Sequence, residues 1–179
     1  QAKLKRFVKG KPGSLLIVEF AGAELDSLKH KLRELDELMA AHGFPDAVVE
    51  AIDPEFQKQV WEVRKAGLNI MMSMKGDGKP VSCIEDCAVE LTDLAEYTSR
   101  LNKLFAKYGT TGTWYAHASV GCLHVRPVLN LKQEMDAKKL RAITEETFAI
   151  VREYKGSHSG EHGDGLVRSE FHEVMYGKR

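Results

Sequence analysis

The sequence predicts an α+β fold, a ferredoxin-like antiparallel sheet with helices packed mainly on one face. Three observations lead there. Strand-sized apolar runs alternate with amphipathic helical patterns in the order β-α-β-α-β-α-β-α. That alternation also suits a parallel doubly wound sheet, but Ala21-Gly22-Ala23, after the first strand, lacks the GxGxxG phosphate loop of such sheets. Finally, residues 81–91 read as one long strand whose odd positions Val81, Cys83, Cys87, Val89 and Leu91 share a face. A half-polar strand of that kind belongs in an antiparallel sheet with one solvated face.

Taken in order, residues 1–13 are basic and carry Gly10, Pro12 and Gly13, a linker or edge segment. Leu15-Leu16-Ile17-Val18-Glu19-Phe20 is β-prone and apolar, a central strand. Leu25, Leu28, Leu32, Leu35 and Met39 recur at three- and four-residue spacing, an amphipathic helix whose leucine stripe is core and which ends near Gly43. Residues 47–52 form the second strand. Asp53-Pro54 starts the next helix, with Asp53 as N-cap and Pro54 where its missing N–H does no harm. Phe56, Val60, Val63, Gly67 and Ile70 line one side of it, with Arg64 beside them; from spacing alone Arg64 is a solvated side chain. Gly76-Asp77-Gly78 breaks the pattern, and Lys79-Pro80 leads into residues 81–91, where Cys83 and Cys87 read as packed thiols. Thr92 caps a helix with the face Leu94, Tyr97, Leu101, Leu104, Phe105 and Tyr108, closed by Gly109. Extended character resumes at 113–116 and 123–129. A helix over 136–154 turns Leu140, Ile143, Thr147, Ile150 and Val151 inward and ends at Gly156, and a last helix covers 166–176.

The 179 residues suffice for one domain with a substantial core. At 43% hydrophobic and 29% charged the chain reads as a soluble globular protein. Twenty-six basic residues balance 26 acidic ones, which argues against nucleic acid or a membrane surface as the main partner. No apolar run approaches the roughly 20 residues that span a bilayer. Three cysteines, with no CxxC among them, cannot all pair, which favours a reducing compartment. The chain opens at Gln1 without Met and stops right after an amphipathic segment, so a piece of a longer polypeptide is expected.

Two stretches carry chemistry. Ser157-His158-Ser159-Gly160-Glu161-His162-Gly163-Asp164-Gly165 packs three glycines, two carboxylates and two imidazoles into nine residues. It is either a polar connection with surface histidines or one wall of an active site, with metal ligands or an acid/base pair. His117 and His124 lie seven apart between strand-like flanks, which on one straight strand aims them at opposite faces. If both serve one site, the backbone reverses between Ser119 and Cys122, and Gly121 is where it can. Two imidazoles and a carboxylate are a standard ligand set for Zn²⁺ and similar ions.

Together, His117-x6-His124 and Ser159-Gly160-Glu161-His162-Gly163 resemble the C-terminal, substrate-side domain of the FAD-linked oxidases. That family includes D-lactate, glycolate and D-2-hydroxyglutarate dehydrogenases. The likeness runs through most of the chain, including Trp61-Glu62-Val63-Arg64-Lys65. The family's H-x-G-D-G-N-x-H becomes His117-Ala118-Ser119-Val120-Gly121-Cys122-Leu123-His124 here. With Gly163-Asp164-Gly165-Leu166-Val167-Arg168-Ser169-Glu170, that departure is similar to large bacterial members fused to an iron–sulfur domain.

The resemblance implies roles residue by residue. His117, His124 and Glu161 match metal ligands, and His162 matches the histidine that takes the proton from the substrate 2-hydroxyl. Arg64 and Lys79 match positions that hold the substrate carboxylate, replacing the solvated reading of Arg64. Arg126 stands where many relatives have asparagine, and would add a second carboxylate clamp. The implied cofactors are FAD, bound mainly by a preceding domain absent from this chain, a divalent metal such as Zn, and 4Fe-4S clusters elsewhere in the parent polypeptide. The implied partners are a small 2-hydroxy acid, the FAD domain of the same polypeptide and an electron acceptor, with a cytoplasmic location or a peripheral one at the inner membrane. On this reading the chain alone is inactive, and His117, His124 and Glu161 converge with His162 close by. Two rivals stand beside it: a non-catalytic ferredoxin-like metal- or ligand-binding module, and a zinc hydrolase using Glu161, which would lack the HExxH helix.

Overall fold

A strand is stable only when its N–H and C=O groups find partners, whereas a helix satisfies its own. That difference separates the two compact units of the computed structural model, which describes residues 6–178 and divides into residues 1–68 and 69–179. The first five residues of the expected basic linker lie outside the described residues.

The first unit is built on helix α1, Leu25–Ala41, and on most of α2, Pro54–Met72. Asp53 caps α2 as expected, its Oδ2 accepting the Phe56 N–H at 2.8 Å. The two strands expected at 15–20 and 47–52 do not form. Among the described residues of this unit no strand pairs with them, so β-propensity alone leaves them as extended coil. Leu15 and Leu16 are 57% and 71% exposed. The leucine stripe expected as core is only half covered: Leu28, Leu32, Leu35 and Met39 are intermediate, and neither helix buries a residue.

The second unit holds the core. Its strands are β1 (Lys79–Pro80), β2 (Cys87–Ala88), β3 (Gly112–Thr113), β4 (Ala116–His117), β5 (Cys122–Leu123) and β6 (Arg126–Leu129). They form two small antiparallel sheets, ordered β1-β6-β3 and β2-β5-β4. Helices α3 (Leu94–Lys107) and α4 (Glu134–Glu153) pack together beside them. The fold class is α+β with antiparallel pairing.

The expected long strand over 81–91 is interrupted. β1 pairs with β6 and β2 with β5, so the backbone steps from one sheet to the other across residues 82–86. Asp86 makes the step at φ +87, a conformation that Asp tolerates better than most residues. Thr92 does not cap α3; a 3₁₀ turn over Leu91–Asp93 leads in, and no side chain caps the helix. The stripe of α3 is confirmed, with Tyr97, Leu101, Leu104 and Phe105 buried, and it meets Ile143, Phe148 and Val151 of α4. The last helix is broken into α5 (Gly165–Arg168), a 3₁₀ turn and α6 (His172–Tyr176). The tighter turn stacks residues three apart, and it sends both Arg168 and Phe171 inward.

Residues 122–129 position the site. With a side-chain period of two, Leu123, Val125 and Leu129 enter the core, while Cys122, His124 and Arg126 take the other face. No helix among the described residues is long and apolar enough to cross a membrane.

Candidate functional site

The histidines meet because the backbone reverses. A 3₁₀ turn over Ala118–Val120 ends at Gly121 with φ +68, and β4 folds back on β5. His117 then pairs with Cys122, so both point the same way, and His124 follows two residues later on that face. Only glycine fits at 121: a Cβ there would stand 1.9 Å from the Val89 carbonyl oxygen.

The second loop arrives against this face through Asp86. Its buried carboxylate accepts the backbone N–H groups of Glu161 and His162, each at 2.9 Å, while its carbonyl accepts the Gly160 N–H at 2.7 Å. Gly160 permits that approach, since a Cβ would lie 3.0 Å from the Asp86 carbonyl oxygen and 2.9 Å from Cys122 Sγ. Arg168 donates to the carbonyls of Glu85 and Gly163 and stands 3.5 Å from the Asp86 carboxylate.

The outcome is convergence on one oxygen. Nε2 of His124 and of His162 each lie 3.0 Å from Glu161 Oε1, and Nε2 of His117 lies 3.4 Å from it. The His124 and His162 rings stack at 4.8 Å, and the His117 ring stands edge-on to His124 at 5.1 Å. Asp86, His124, Glu161 and His162 bring ligand atoms within 4.8 Å of one another, and His117 joins through Glu161. Asp86 is already committed as an acceptor of loop N–H groups, so it holds the loop in place.

Glu85 closes the site from behind. Its carboxylate is 3.2 Å from His162 Nδ1 and 3.2 Å from Arg126 Nη2, and Arg126 Nε also donates to Ser82 Oγ at 2.9 Å. Neither Glu85 nor Asp86 was singled out from the sequence. Their signal was two adjacent acidic residues inside a strand pattern, where strict alternation would put only one of them on the polar face. Lys79 lies on β1 opposite Leu129, its ammonium donating to the Met74 carbonyl. Arg64 belongs to the first unit, where its guanidinium lies 5.4 Å over the Trp61 ring.

The electrostatics follow from this packing. Burial raises the Asp86 carboxyl, but the His162 and Glu161 N–H donors and the nearby positive charges outweigh it and hold the pKa below the ordinary value. Burial lowers the His124 imidazole against the pull of Glu161. For His162 burial again acts downward, yet the Glu85 hydrogen bond and the Glu85, Asp86 and Glu161 charges raise it overall. Burial also pushes the Cys83 thiol up to about 11 and those of Cys87 and Cys122 to about 12, so all three are neutral packed thiols.

The donor set fits a divalent ion. Donors held about 2.1 Å from one tetrahedral ion lie roughly 3.4 Å apart, close to the spacings around Glu161 Oε1. Glu85 and Asp86 face the guanidiniums of Arg126 and Arg168, whereas Glu161 faces the three imidazoles. His124 Nδ1 is buried without a hydrogen-bond partner.

An imidazole–carboxylate cluster of this kind suits metal binding or acid/base chemistry, and comparison with known proteins gives the family. The chain belongs to the family of FAD linked oxidases, C-terminal domain, whose model matches residues 2–179. It is 30% identical over 168 residues to a D-2-hydroxyglutarate dehydrogenase of Pseudomonas putida, covering 90% of this chain and 16% of that protein. The Escherichia coli protein of the same name is 28% identical over 170 residues, 92% of this chain and 16% of that protein. A D-lactate dehydrogenase of Anaerostipes hadrus is 27% identical over 162 residues, 89% of this chain and 33% of that protein. The chain thus spans about a sixth of the length of the first two relatives.

Proposed function

We propose that this chain is the substrate-binding part of an FAD-dependent dehydrogenase that oxidises a D-2-hydroxy acid of the 2-hydroxyglutarate, lactate or glycolate type to the 2-oxo acid. The observation that carries the reading is the gathering of three imidazole Nε2 atoms around Glu161 Oε1. The family implies FAD, and since this chain matches only the C-terminal domain and a sixth of its first relatives' length, binding the flavin, the hydride acceptor in this chemistry, falls to the remainder of the polypeptide. The roughly sixfold greater length of the first relatives leaves room for that domain and for an iron–sulfur module.

Within this chain the work is on the proton and the carboxylate. His117, His124 and Glu161 would hold a divalent ion, whose charge would lower the proton affinity of a substrate hydroxyl. His162 takes the hydroxyl proton on Nε2. Its Nδ1 faces Glu85 Oε1, which selects the tautomer with the lone pair on Nε2 and stabilises the imidazolium once formed. Arg126, aimed by Ser82 and Glu85, offers a guanidinium edge to the substrate carboxylate.

The test uses the full-length parent polypeptide with a dye as electron acceptor. His162→Ala should lower turnover by about 10²–10⁴-fold with the zinc of this site retained, whereas His124→Ala should lose turnover and that zinc together. A parent that oxidises none of D-2-hydroxyglutarate, D-lactate or glycolate, or a His162→Ala variant as fast as the parent, overturns the reading.

A further inference from the structure

A second group of donors lies on the same loop and has no part in the mechanism above. His158 is fully buried, wedged edge-on against Phe148 at 5.1 Å. Its Nδ1 is 3.2 Å from the Tyr176 hydroxyl, and its Nε2 is 3.3 Å from Asp164 Oδ1. Both Nε2 and Oδ1 are buried without a hydrogen-bond partner, so the two atoms stand close together without pointing at each other. The Arg168 carbonyl is near the ring but completes no bond to Nε2. His172 Nε2 approaches the other oxygen, Asp164 Oδ2, at 2.7 Å. Among the described residues no lysine or arginine pairs with the Asp164 carboxylate. Two imidazole nitrogens and a carboxylate therefore lie within 4.8 Å of one another, the carboxylate faced by imidazoles alone and one buried nitrogen without a hydrogen bond.

We propose that His158, Asp164 and His172 form a second site for a divalent transition ion such as Zn²⁺, separate from the cluster on Glu161. Two imidazoles and a carboxylate are a donor set that Zn²⁺ accepts, and water takes a fourth position. That position opens to the depression lined by Asp164, His172, Glu173 and Tyr176. Tyr176 supplies the outer hydrogen bond that fixes a ligating imidazole's tautomer. The placement gives the ion a purpose: ligands 158 and 164 bracket Glu161 and His162, and ligand 172 ties both to α6. The ion clamps the loop that carries the base.

Zinc titration of the chelator-stripped chain, read by calorimetry and by bound metal after dialysis, tests this. The parent should bind two equivalents. Asp164→Asn or the half-exposed His172→Ala should bind one, and adding His124→Ala should remove that one. Tyr176→Phe should keep the second ion but weaken it by about 10–100-fold. If the Glu161 cluster holds no ion, the parent binds one equivalent that Asp164→Asn abolishes and His124→Ala leaves intact, and the present proposal stands alone. Zinc binding that Asp164→Asn and His172→Ala leave unchanged, in variants whose circular dichroism matches the parent, overturns it, as does a parent that binds none.

Discussion

The two units carry the same kind of amphipathic signal and put it to different use. α1 repeats leucines as regularly as α3, yet no residue of α1 is buried, while Tyr97, Leu101, Leu104 and Phe105 of α3 all are. The difference lies in what each stripe meets. α3 packs on α4 and shares one core with the inward side chains Leu123, Val125 and Leu129, so its apolar surface leaves water. In the first unit the expected strands find no partners among the described residues, and the stripe stays half exposed. Periodicity marks a face that wants covering; it does not supply the cover.

The largest effect expected from this contrast is at Asp86. Asp86→Ala strips two loop N–H groups of their acceptor and leaves buried Arg168 with one carboxylate fewer, and should cost about 3–5 kcal/mol by urea unfolding. Asp26→Ala, on the exposed start of α1, should change stability by no more than about 0.5 kcal/mol. Equal costs would erase the distinction between the units.

Next comes the leucine pair that defines the comparison. Leu101→Ala should cost about 2–5 kcal/mol, and Leu32→Ala about 1 kcal/mol or less, because its side chain is only half removed from water. Amide exchange should run faster in α1 than in α3 for the same reason. A Leu32→Ala cost matching that of Leu101→Ala would mean that the α1 stripe is covered after all.

The smallest effect concerns acid sensitivity where α3 meets α4. Hydrogen bonds from Lys107 and Tyr108 hold the Glu146 carboxyl below its ordinary 4.5. A depressed carboxyl contributes stability that is present above the unfolded value and lost as pH falls through the folded one. The pair is largely exposed, so the contribution is modest and salt-sensitive. Melting curves taken down through pH 4.5 should show the parent losing this increment and Glu146→Gln lacking it throughout. Identical acid profiles would remove Glu146 from the helix contact.

Much of the site was legible from residue types and turn chemistry. His117, His124, Glu161 and His162 stand out as chemistry-bearing residues, though their roles came only from the family resemblance. The odd spacing of the first two histidines called for a reversal at Gly121 only on the premise that both serve one site. Glu85 and Asp86 were not legible. Their importance arises where the chain steps between two sheets, and a run of alternating residues conceals such a step. His158 was counted among the loop imidazoles, but only packing against Phe148, Tyr176 and Asp164 separated it from His162.

What the sequence determined by itself was local: helix periods, the Asp53 cap, the breaks at Gly43 and Gly109, and the glycines that make close approach affordable. These rest on contacts three or four residues apart and on backbone freedom, both written into neighbouring positions. The tertiary structure decided which β-prone runs became strands, which apolar stripe became core, and which carboxylate each histidine faces. Those outcomes depend on pairing partners and register, and a shift of one residue would send His124 to the core face and Leu123 to the site.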